Sequence, residues 1–159
     1  MLILETLHQW RFTPVTIYPP TYIHETAIIG KDTKIGAFGN IDKNVVIGEN
    51  CNIQAHAKIH TGTRIGDNVF LGPDVTLLND LYPMSKRLAP PEVKKHAILC
   101  GCCVINPGVI IGENAVVVSH SLVTKNIPTM EVWLGSPARY YCSTEEYLEK
   151  KQRYESDMN

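Results

Sequence analysis

The sequence lacks an excess of charge of either sign. Fifteen Lys and Arg residues against sixteen Asp and Glu residues give the 159-residue chain a net charge of −1. Nucleic-acid binding of the polyelectrolyte kind is not expected, because the chain has no overall positive field to displace counterions from a phosphate backbone. Charged residues make up only 19% of the chain and hydrophobic residues 44%, so we expect a folded core rather than disorder.

The sequence also lacks long apolar runs and an even set of cysteines. No run reaches the roughly 18 apolar residues that a membrane span needs. Residues 1–4 are apolar but meet Glu5, without the basic start and long apolar centre of a secretory signal. Three of the five cysteines crowd into residues 100–103, where a disulfide framework is implausible. We therefore expect a cytoplasmic protein with reduced thiols and no membrane partner.

Aromatic residues are scarce, at 8%, whereas aliphatic residues recur with a period of six. Every sixth residue from Ile23 to Leu77 is Ile or Leu, and the period resumes at Val93 and continues to Val123. Four residues after each aliphatic residue stands a second, smaller side chain. A period of six is neither helical nor a two-residue alternation, so each hexad is predicted to be a short strand and a turn. Both repeated positions are expected to point inward.

These hexads predict an all-β chain wound as a parallel β-helix. Glycine follows the aliphatic residue in several hexads, and Asn44, Asn50 and Asn68 lie in turns, where glycine and asparagine accept a positive φ at low cost. The repeat core is predicted over 23–128. Residues 78–92 break the period and are predicted to form an excursion loop.

The two ends of the chain carry helical signals. Leu4, Leu7 and Trp10 have helical spacing within residues 1–17, which suggests a short helix that caps the first coil. Ser143 and Glu146 form a capping box, which predicts a helix from Thr144 to about Ser156. We expect a β-helix domain over 1–142 and a helical tail over 143–159.

The run of hexads resembles the hexapeptide-repeat acyltransferases over about 100 residues, from Ile23 to Pro128. The resemblance implies a left-handed parallel β-helix with eighteen residues in each triangular coil, and association as a homotrimer. Residues 68–83 resemble the segment before the substrate loop of nucleotide-sugar N-acetyltransferases that act on 3-amino sugars. Residues 107–128 and 135–139 are similar to the coenzyme A end of members that use acetyl-CoA.

The acceptor of such a transfer is expected to be an amine. A sugar amine titrates near the α-amino range, about 7.7 to 8.0, and needs positioning more than a base, whereas a hydroxyl usually needs a general base. The related sugar O-acetyltransferases have a histidine in the excursion, but residues 61–95 contain none. The resemblance implies that Asn79 or Asp80 holds the amine while proximity supplies most of the catalysis. The alternative is that both residues only shape a turn.

Two sets of histidines align when residues eighteen apart are stacked. His56 falls in line with Asp74, an arrangement that would orient a general base, and we include His56 among the candidate catalytic residues. His24, Asp42 and His60 form a second vertical file. Both sets are also compatible with a solvated edge of the β-helix.

Neither the histidines nor the cysteines favour a metal site. The carbonic anhydrases of this fold pair two histidines five residues apart, whereas His56 and His60 are four apart and lack an obvious third partner. Cys103 stands at the small inward position and Cys100 where Gly or Ala is usual, so packing is the preferred explanation of the Cys100–Cys103 cluster.

The expected co-substrate is acetyl-CoA. The resemblance places Lys125 and Arg139 where cations meet its phosphates, and adds Ser119 and Ala138 to the predicted cofactor-binding residues. Residues 118–121 read Val-Ser-His-Ser where the family usually has Gly-Ala-Gly-Ser, and the larger side chains are expected to narrow the pantetheine tunnel. The sequence thus predicts an N-acetyltransferase for a nucleotide-linked amino sugar in surface-glycan biosynthesis. A sugar O-acetyltransferase and a non-catalytic trimeric scaffold remain the alternatives.

Overall fold

The computed structural model describes residues 14–157 and shows a parallel β-solenoid of about seven turns with one helix at its C-terminal end. The predicted all-β hexapeptide fold is confirmed. Within residues 14–157 the strands are β1 (Thr16–Ile17), β2 (Tyr22–Ile23), β3 (Ile28–Ile29), β4 (Lys34–Ile35), β5 (Asn40–Ile41), β6 (Val46–Ile47), β7 (Asn52–Ile53), β8 (Lys58–Ile59), β9 (Arg64–Ile65), β10 (Phe70–Leu71), β11 (Thr76–Leu77), β12 (Glu92–Val93), β13 (Ile98–Leu99), β14 (Val104–Ile105), β15 (Ile110–Ile111), β16 (Val116–Val117), β17 (Leu122–Val123), β18 (Glu131–Gly135) and β19 (Ala138–Ser143).

Three sheets, parallel throughout except for β19, form the sides of the solenoid, because each strand within a sheet pairs with the strand one coil before and one coil after it. Sheet A has the order β1-β4-β7-β10-β13-β16-β18-β19, sheet B β2-β5-β8-β11-β14-β17, and sheet C β3-β6-β9-β12-β15. Most paired residues are eighteen apart, as Ile35 with Ile53. Val93 pairs with Ile65 across the excursion, so the loop adds residues to one coil without changing the register of its neighbours.

The second residue of nearly every two-residue strand points into a continuous apolar core. Ile35, Ile59 and Leu99 have 0% of their surface exposed. The smaller side chains four residues later are also buried, including the hydroxyls Thr33, Thr63 and Ser121. Thr33 Oγ1, for example, donates to the Gly48 carbonyl oxygen at 2.9 Å, which satisfies the buried polar atom. The predicted inward positions are therefore confirmed, apart from Ile23, which is only half-buried.

The turns correct the role predicted for the glycines. Asn44, Asn50 and Asn68 do have φ near +56°, at +58°, +54° and +56°. Glycines that directly follow an aliphatic residue, such as Gly30, are not among the positive-φ residues. A Cβ at Gly30 would lie 2.5 Å from the Gly48 carbonyl carbon, so glycine is needed there because successive coils approach closely.

Both ends of the solenoid differ from the remaining repeats. The period begins one hexad earlier than predicted, since β1 pairs with β4 through Ile17 and Ile35. The predicted capping helix over 1–17 lies largely outside the described residues, and Thr16–Ile17 is a strand. At the other end β18 and β19 form an antiparallel hairpin, and α1 (Thr144–Ser156) packs against it.

Helix α1 begins as the capping box predicted, because the Ser143 hydroxyl accepts a hydrogen bond from the Glu146 amide. No helix within residues 14–157 has the length and apolar character to span a membrane. The division into domains at residue 142 stays a prediction.

The adjacent isoleucines of β3 offer a matched test of the inward ladder. Ile29 is 4% exposed and Ile28 is 62% exposed. We expect Ile29→Ala to lower the free energy of unfolding by about 2 to 5 kcal/mol, because it opens a cavity in the core, and Ile28→Ala to lower it by less than about 1 kcal/mol. Urea unfolding followed by circular dichroism measures both, and equal losses would contradict the assigned register.

Candidate active site

The excursion loop is attached to the solenoid at the corner between sheets B and C. The Asn79 side-chain amide donates to the Thr61 carbonyl oxygen of the coil below at 3.0 Å. The Ala89 amide donates to the Asn79 carbonyl oxygen, and the Gly108 amide of the coil above donates to the Ala89 carbonyl oxygen, both at 2.7 Å. These bonds hold the two ends of the loop together. We call the region around Thr61, Asn79, Ala89 and Gly108 the loop corner.

Asp80 folds the loop rather than facing outward as a free carboxylate. Its Oδ1 accepts a hydrogen bond from the Tyr82 amide at 3.1 Å, and its Oδ2 accepts one from the Ser85 amide at 3.0 Å. This is the turn-shaping role that the sequence left open for Asp80. Asn79 keeps a free acceptor, because no residue in 14–157 donates to its Oδ1. A catalytic role for either residue stays a prediction, and the geometry supports Asn79 better.

A histidine and an aspartate form an oriented pair at the loop corner. His60 Nδ1 lies 3.3 Å from Asp42 Oδ2, and both side chains are about two-thirds buried. The Asn40 amide donates to the other oxygen of Asp42 at 3.0 Å, so the carboxylate is held from two sides. His60 directly precedes Thr61, the residue to which Asn79 is bonded. The predicted vertical alignment of Asp42 and His60 is therefore present.

His56 has a different environment from the one that the sequence suggested. Its ring stacks on Phe38, one coil earlier, with centroids 5.1 Å apart and planes inclined by 20°. No ion pair or hydrogen bond within residues 14–157 joins His56 to Asp74. Both residues have positive φ, at +63° and +59°, and occupy exposed turns. His56 thus lacks the carboxylate that would orient it as a general base.

The loop corner presents the Asn79 side-chain oxygen and one nitrogen of His60 to a bound molecule. His60 Nδ1 faces the Asp42 carboxylate at 3.3 Å, which leaves Nε2 as the ring nitrogen available to a ligand. Asn79 Oδ1 is an acceptor that no residue in 14–157 uses. A neutral primary amine has two N–H donors, whereas a hydroxyl has only one, so an amine can donate to Asn79 and keep a second N–H. The unused oxygen of Asn79 is therefore suited to holding an amine.

The sequence aligns His60 with Asp42 one coil earlier, but it led us to prefer His56 as the candidate general base. Residues 61–95 contain no histidine, and His60 lies one residue before that range. Stacking residues eighteen apart also brings Asn79 above Thr61, and this arithmetic would have placed His60 beside the excursion.

The residues predicted to bind the co-substrate lie near the C-terminal end of the solenoid, Ser119 and Lys125 on its last coils and Ala138 and Arg139 on β19. Lys125 and Arg139 are exposed and take part in no ion pair within residues 14–157, although the Arg139 guanidinium donates to the Ala138 carbonyl oxygen at 2.8 Å. Ser119 is exposed, whereas Ala138 is 2% exposed and packs in the core. The Val118 amide donates to the Trp133 carbonyl oxygen, which ties this segment to the hairpin. Cofactor binding by these four residues stays a prediction.

The cysteines pack as small apolar residues. All five are free thiols, and burial raises the pKa values of Cys51, Cys100, Cys103 and Cys142. For Cys103 burial raises the pKa from 9.0 to about 11. Within residues 14–157 no three His, Cys, Asp or Glu side chains are grouped so as to hold a metal ion.

Comparison with known proteins relates the repeat to acyltransferases. Residues 26–61 and 44–79 match the model of the bacterial transferase hexapeptide (six repeats). Galactoside O-acetyltransferase of Escherichia coli is 39% identical over 83 residues, which are 47% of this chain and 41% of that protein. The chain thus spans well under two thirds of this relative.

Two solved structures share the fold. A variant of perosamine N-acetyltransferase from Caulobacter crescentus, in complex with CoA and GDP-perosamine, has a TM-score of 0.74 at 22% identity, over 82% of this chain and 58% of that one. The acetyltransferase domain of PglB from Neisseria gonorrhoeae, in complex with acetyl coenzyme A, has a TM-score of 0.73 at 16% identity, over 80% of this chain and 58% of that one.

The raised pKa of Cys103 predicts a loss of stability at alkaline pH. In the unfolded chain this thiol ionises from about pH 9, whereas in the folded protein it stays neutral up to about pH 11. The unfolded state is therefore favoured progressively between these values, and stability falls as pH rises. Cys103→Ala should make the decline of Tm between pH 9 and 11 shallower. Cys102→Ala is the matched control and should leave the decline of Tm unchanged. Equal effects of the two variants would contradict the assignment of the decline to Cys103.

Proposed function

Because this chain carries the hexapeptide repeat of the bacterial transferases, we propose that it is an acetyl-CoA-dependent N-acetyltransferase acting on the amine of a nucleotide-linked amino sugar. The chain shares its fold with structures of an N-acetyltransferase and of an acetyltransferase domain, and this shared fold supports the proposal. The observation that carries the proposal is the side-chain oxygen of Asn79 at the loop corner, an acceptor that no described residue uses. Asn79 lies one coil from the His60–Asp42 pair.

The proposed chemistry requires one position for the amine and one path for its proton. The amine nitrogen donates one N–H to Asn79 Oδ1 and is held beside the thioester carbonyl carbon. As the new C–N bond forms and the C–S bond breaks, the second proton passes to His60 Nε2 and the electron pair of the C–S bond leaves with the thiolate. Asp42 stabilises the imidazolium, and Asn40 keeps Asp42 in place.

The co-substrate is proposed to lie along the last coils with its phosphates near Lys125 and Arg139. Both side chains are exposed cations outside the ion pairs of the described residues, as a phosphate site requires. Ser119 is exposed beside them in chain order and has a hydroxyl available for the same molecule. Ala138 is buried, so its contribution is to hold Arg139 in position.

O-acetyl transfer is the second candidate, and the His60–Asp42 pair favours it. A hydroxyl acceptor needs a general base, and an oriented histidine supplies one. The similarity to galactoside O-acetyltransferase supports the same alternative. The two functions differ in their dependence on His60, because an amine is already partly neutral near pH 7.

The function is tested by the release of CoA thiol from acetyl-CoA with amino-sugar nucleotides and with their hydroxyl counterparts. We expect turnover only with the amino acceptors, and Asn79→Ala should lower kcat/KM more than His56→Ala, which should lower it by less than tenfold, about 1.4 kcal/mol. Asn79→Asp, which retains an acceptor oxygen, should retain more activity than Asn79→Ala.

The histidine variants separate the two candidate functions. With an amine acceptor, the loss in His60→Ala should diminish as the pH rises above 8, because the free amine is then already neutral and hydroxide can take the proton that its nitrogen loses as the C–N bond forms. Turnover with hydroxyl acceptors alone, together with a loss of a thousandfold or more in His60→Ala at every pH, would establish the O-acetyltransferase. An absence of both turnover and CoA binding would favour the non-catalytic scaffold.

We propose that the chain assembles as a homotrimer. Exposed apolar side chains lie on the flat outer faces and in the excursion loop, including Ile110 at 39% exposure and Met84 at 98%. A face of this kind is stabilised when a second copy covers it. Sedimentation equilibrium at micromolar concentration should give three times the 17.8 kDa chain mass, and a monomer would contradict the proposal.

A further inference from the structure

A cavity of about 330 Å³ opens on the outer face of sheet A, where this sheet meets the corner that leads to sheet B. Lys34 and Asn52, which are paired neighbours on β4 and β7, line it from the sheet. Tyr18 and Gln54, which directly follow β1 and β7, line it from the corner. The volume is at the lower end of the range for small-molecule sites, about 300 to 1,000 Å³. We call this region the sheet A cavity.

Tyr18 gives the sheet A cavity an aromatic wall. The residue is 54% exposed. The aromatic stacking found within residues 14–157 joins Phe38 to His56 and leaves the ring of Tyr18 free. An exposed aromatic face is suited to the C–H face of a pyranose ring, because contact between them removes apolar surface of both from water.

Two amide side chains give the cavity a polar wall. Gln54 Nε2 donates to Asn52 Oδ1 at 2.6 Å, which orients both groups. The Asn52 NH₂ group and Gln54 Oε1 have no partner within residues 14–157. They present a donor close to an acceptor. Adjacent hydroxyl groups of a sugar can meet both, because each hydroxyl donates and accepts.

Lys34 adds a positive charge to the cavity. It takes part in no ion pair within residues 14–157, and no Asp or Glu of this part of the chain lines the cavity. Its ammonium group is a compact charge on a flexible stem and forms charge-assisted hydrogen bonds with a carboxylate. The cavity therefore favours an anionic ligand over a neutral one.

We propose that the sheet A cavity binds an acidic sugar, a hexuronate. The C–H face of the sugar lies on Tyr18 and its carboxylate pairs with Lys34. Its hydroxyl groups bond to the free amide atoms of Asn52 and Gln54.

This site goes beyond the proposed function, because it holds a sugar without transferring an acetyl group to it. Sheet B lies between the sheet A cavity and the loop corner, so a ligand in one leaves the other accessible. The cavity is open to the surface, and a hexuronate within a longer acidic glycan can enter it as a single sugar does.

Titration with methyl glucuronide, followed by two-dimensional amide NMR, tests the site directly. A ligand of about fourteen non-hydrogen atoms is expected to bind with a Kd of about 1 mM. The side-chain amide signals of Asn52 and Gln54 should shift with this affinity. Methyl glucoside, which has a hydroxymethyl group in place of the carboxylate, should bind about fivefold or more weakly.

Variants of the lining residues separate the parts of the site. Tyr18→Ala should weaken methyl glucuronide binding about fivefold or more, whereas Tyr18→Phe should retain it within about twofold because the ring remains. Lys34→Gln should lower the affinity for methyl glucuronide to that for methyl glucoside and leave the latter unchanged. Gln54→Ala should weaken both sugars, since both use the hydroxyl contacts.

Matched controls use residues away from the cavity. Tyr22 on sheet B is 55% exposed and Lys151 lies on α1, so Tyr22→Ala and Lys151→Gln should leave the affinity unchanged. His60→Ala should also leave it unchanged, because His60 lies beyond sheet B. Unchanged melting temperatures establish that the Tyr18, Lys34 and Gln54 variants fold.

Three results would overturn the inference. The first is an absence of shifts with methyl glucuronide at about tenfold the expected Kd. The second is equal affinity for the two sugars, or equal affinity of the wild type and Tyr18→Ala for methyl glucuronide. The third is a set of shifts confined to the loop corner, which would place the sugar in the candidate active site instead.

Discussion

The constraint on which the structure depends is the constant length of the coil. Backbone amides donate to carbonyl groups seventeen residues ahead, as in the bonds from Gly30 to Ile47 and from Gly36 to Ile53, at 2.9 and 2.8 Å. A residue inserted within a strand would shift every inward side chain of that coil to the wrong face. The excursion avoids this consequence because the chain leaves and rejoins the solenoid at one corner, where the Arg64 amide bonds to the Pro91 carbonyl oxygen at 3.3 Å. The position of a residue in the sequence therefore determines which residues lie directly above and below it in the neighbouring coils.

The fold was predictable because one hydrophobic signal is repeated along most of the chain. The inward positions, the excursion and the C-terminal helix all follow from this period and from one capping box. Local exceptions were not predictable from it. The glycines after aliphatic residues are required by contact with the next coil, as at Gly30, and a backbone dihedral argument cannot detect a neighbour from another part of the chain. The strand at Thr16–Ile17 was missed because a preceding helical pattern was extended over it.

The candidate site was only partly predictable, because vertical alignment does not determine which side chains meet. His56 and Asp74 are aligned, yet both lie in exposed positive-φ turns, and His56 finds the ring of Phe38 instead. His60 and Asp42 follow extended strand residues, are more buried, and have Asn40 to orient the carboxylate. Asn79 and Asp80 are adjacent in sequence but also differ in their contacts. Asp80 folds the loop by accepting hydrogen bonds from two backbone amides, whereas Asn79 keeps a side-chain oxygen that the loop does not use.

A coil of this kind leaves few positions for function. The inward residues of each strand belong to the core, and several outward residues lie on flat faces suited to association. The corners remain, where a loop can be inserted, as after Leu77, without a change in the ladder between coils. Substrate contacts and proton removal are therefore expected at such a corner, and the loop corner brings Asn79 of one coil next to Thr61, the neighbour of His60, on the coil below. The inserted loop can change in sequence while the histidine below it is retained, because the strand that precedes His60 is fixed by the core.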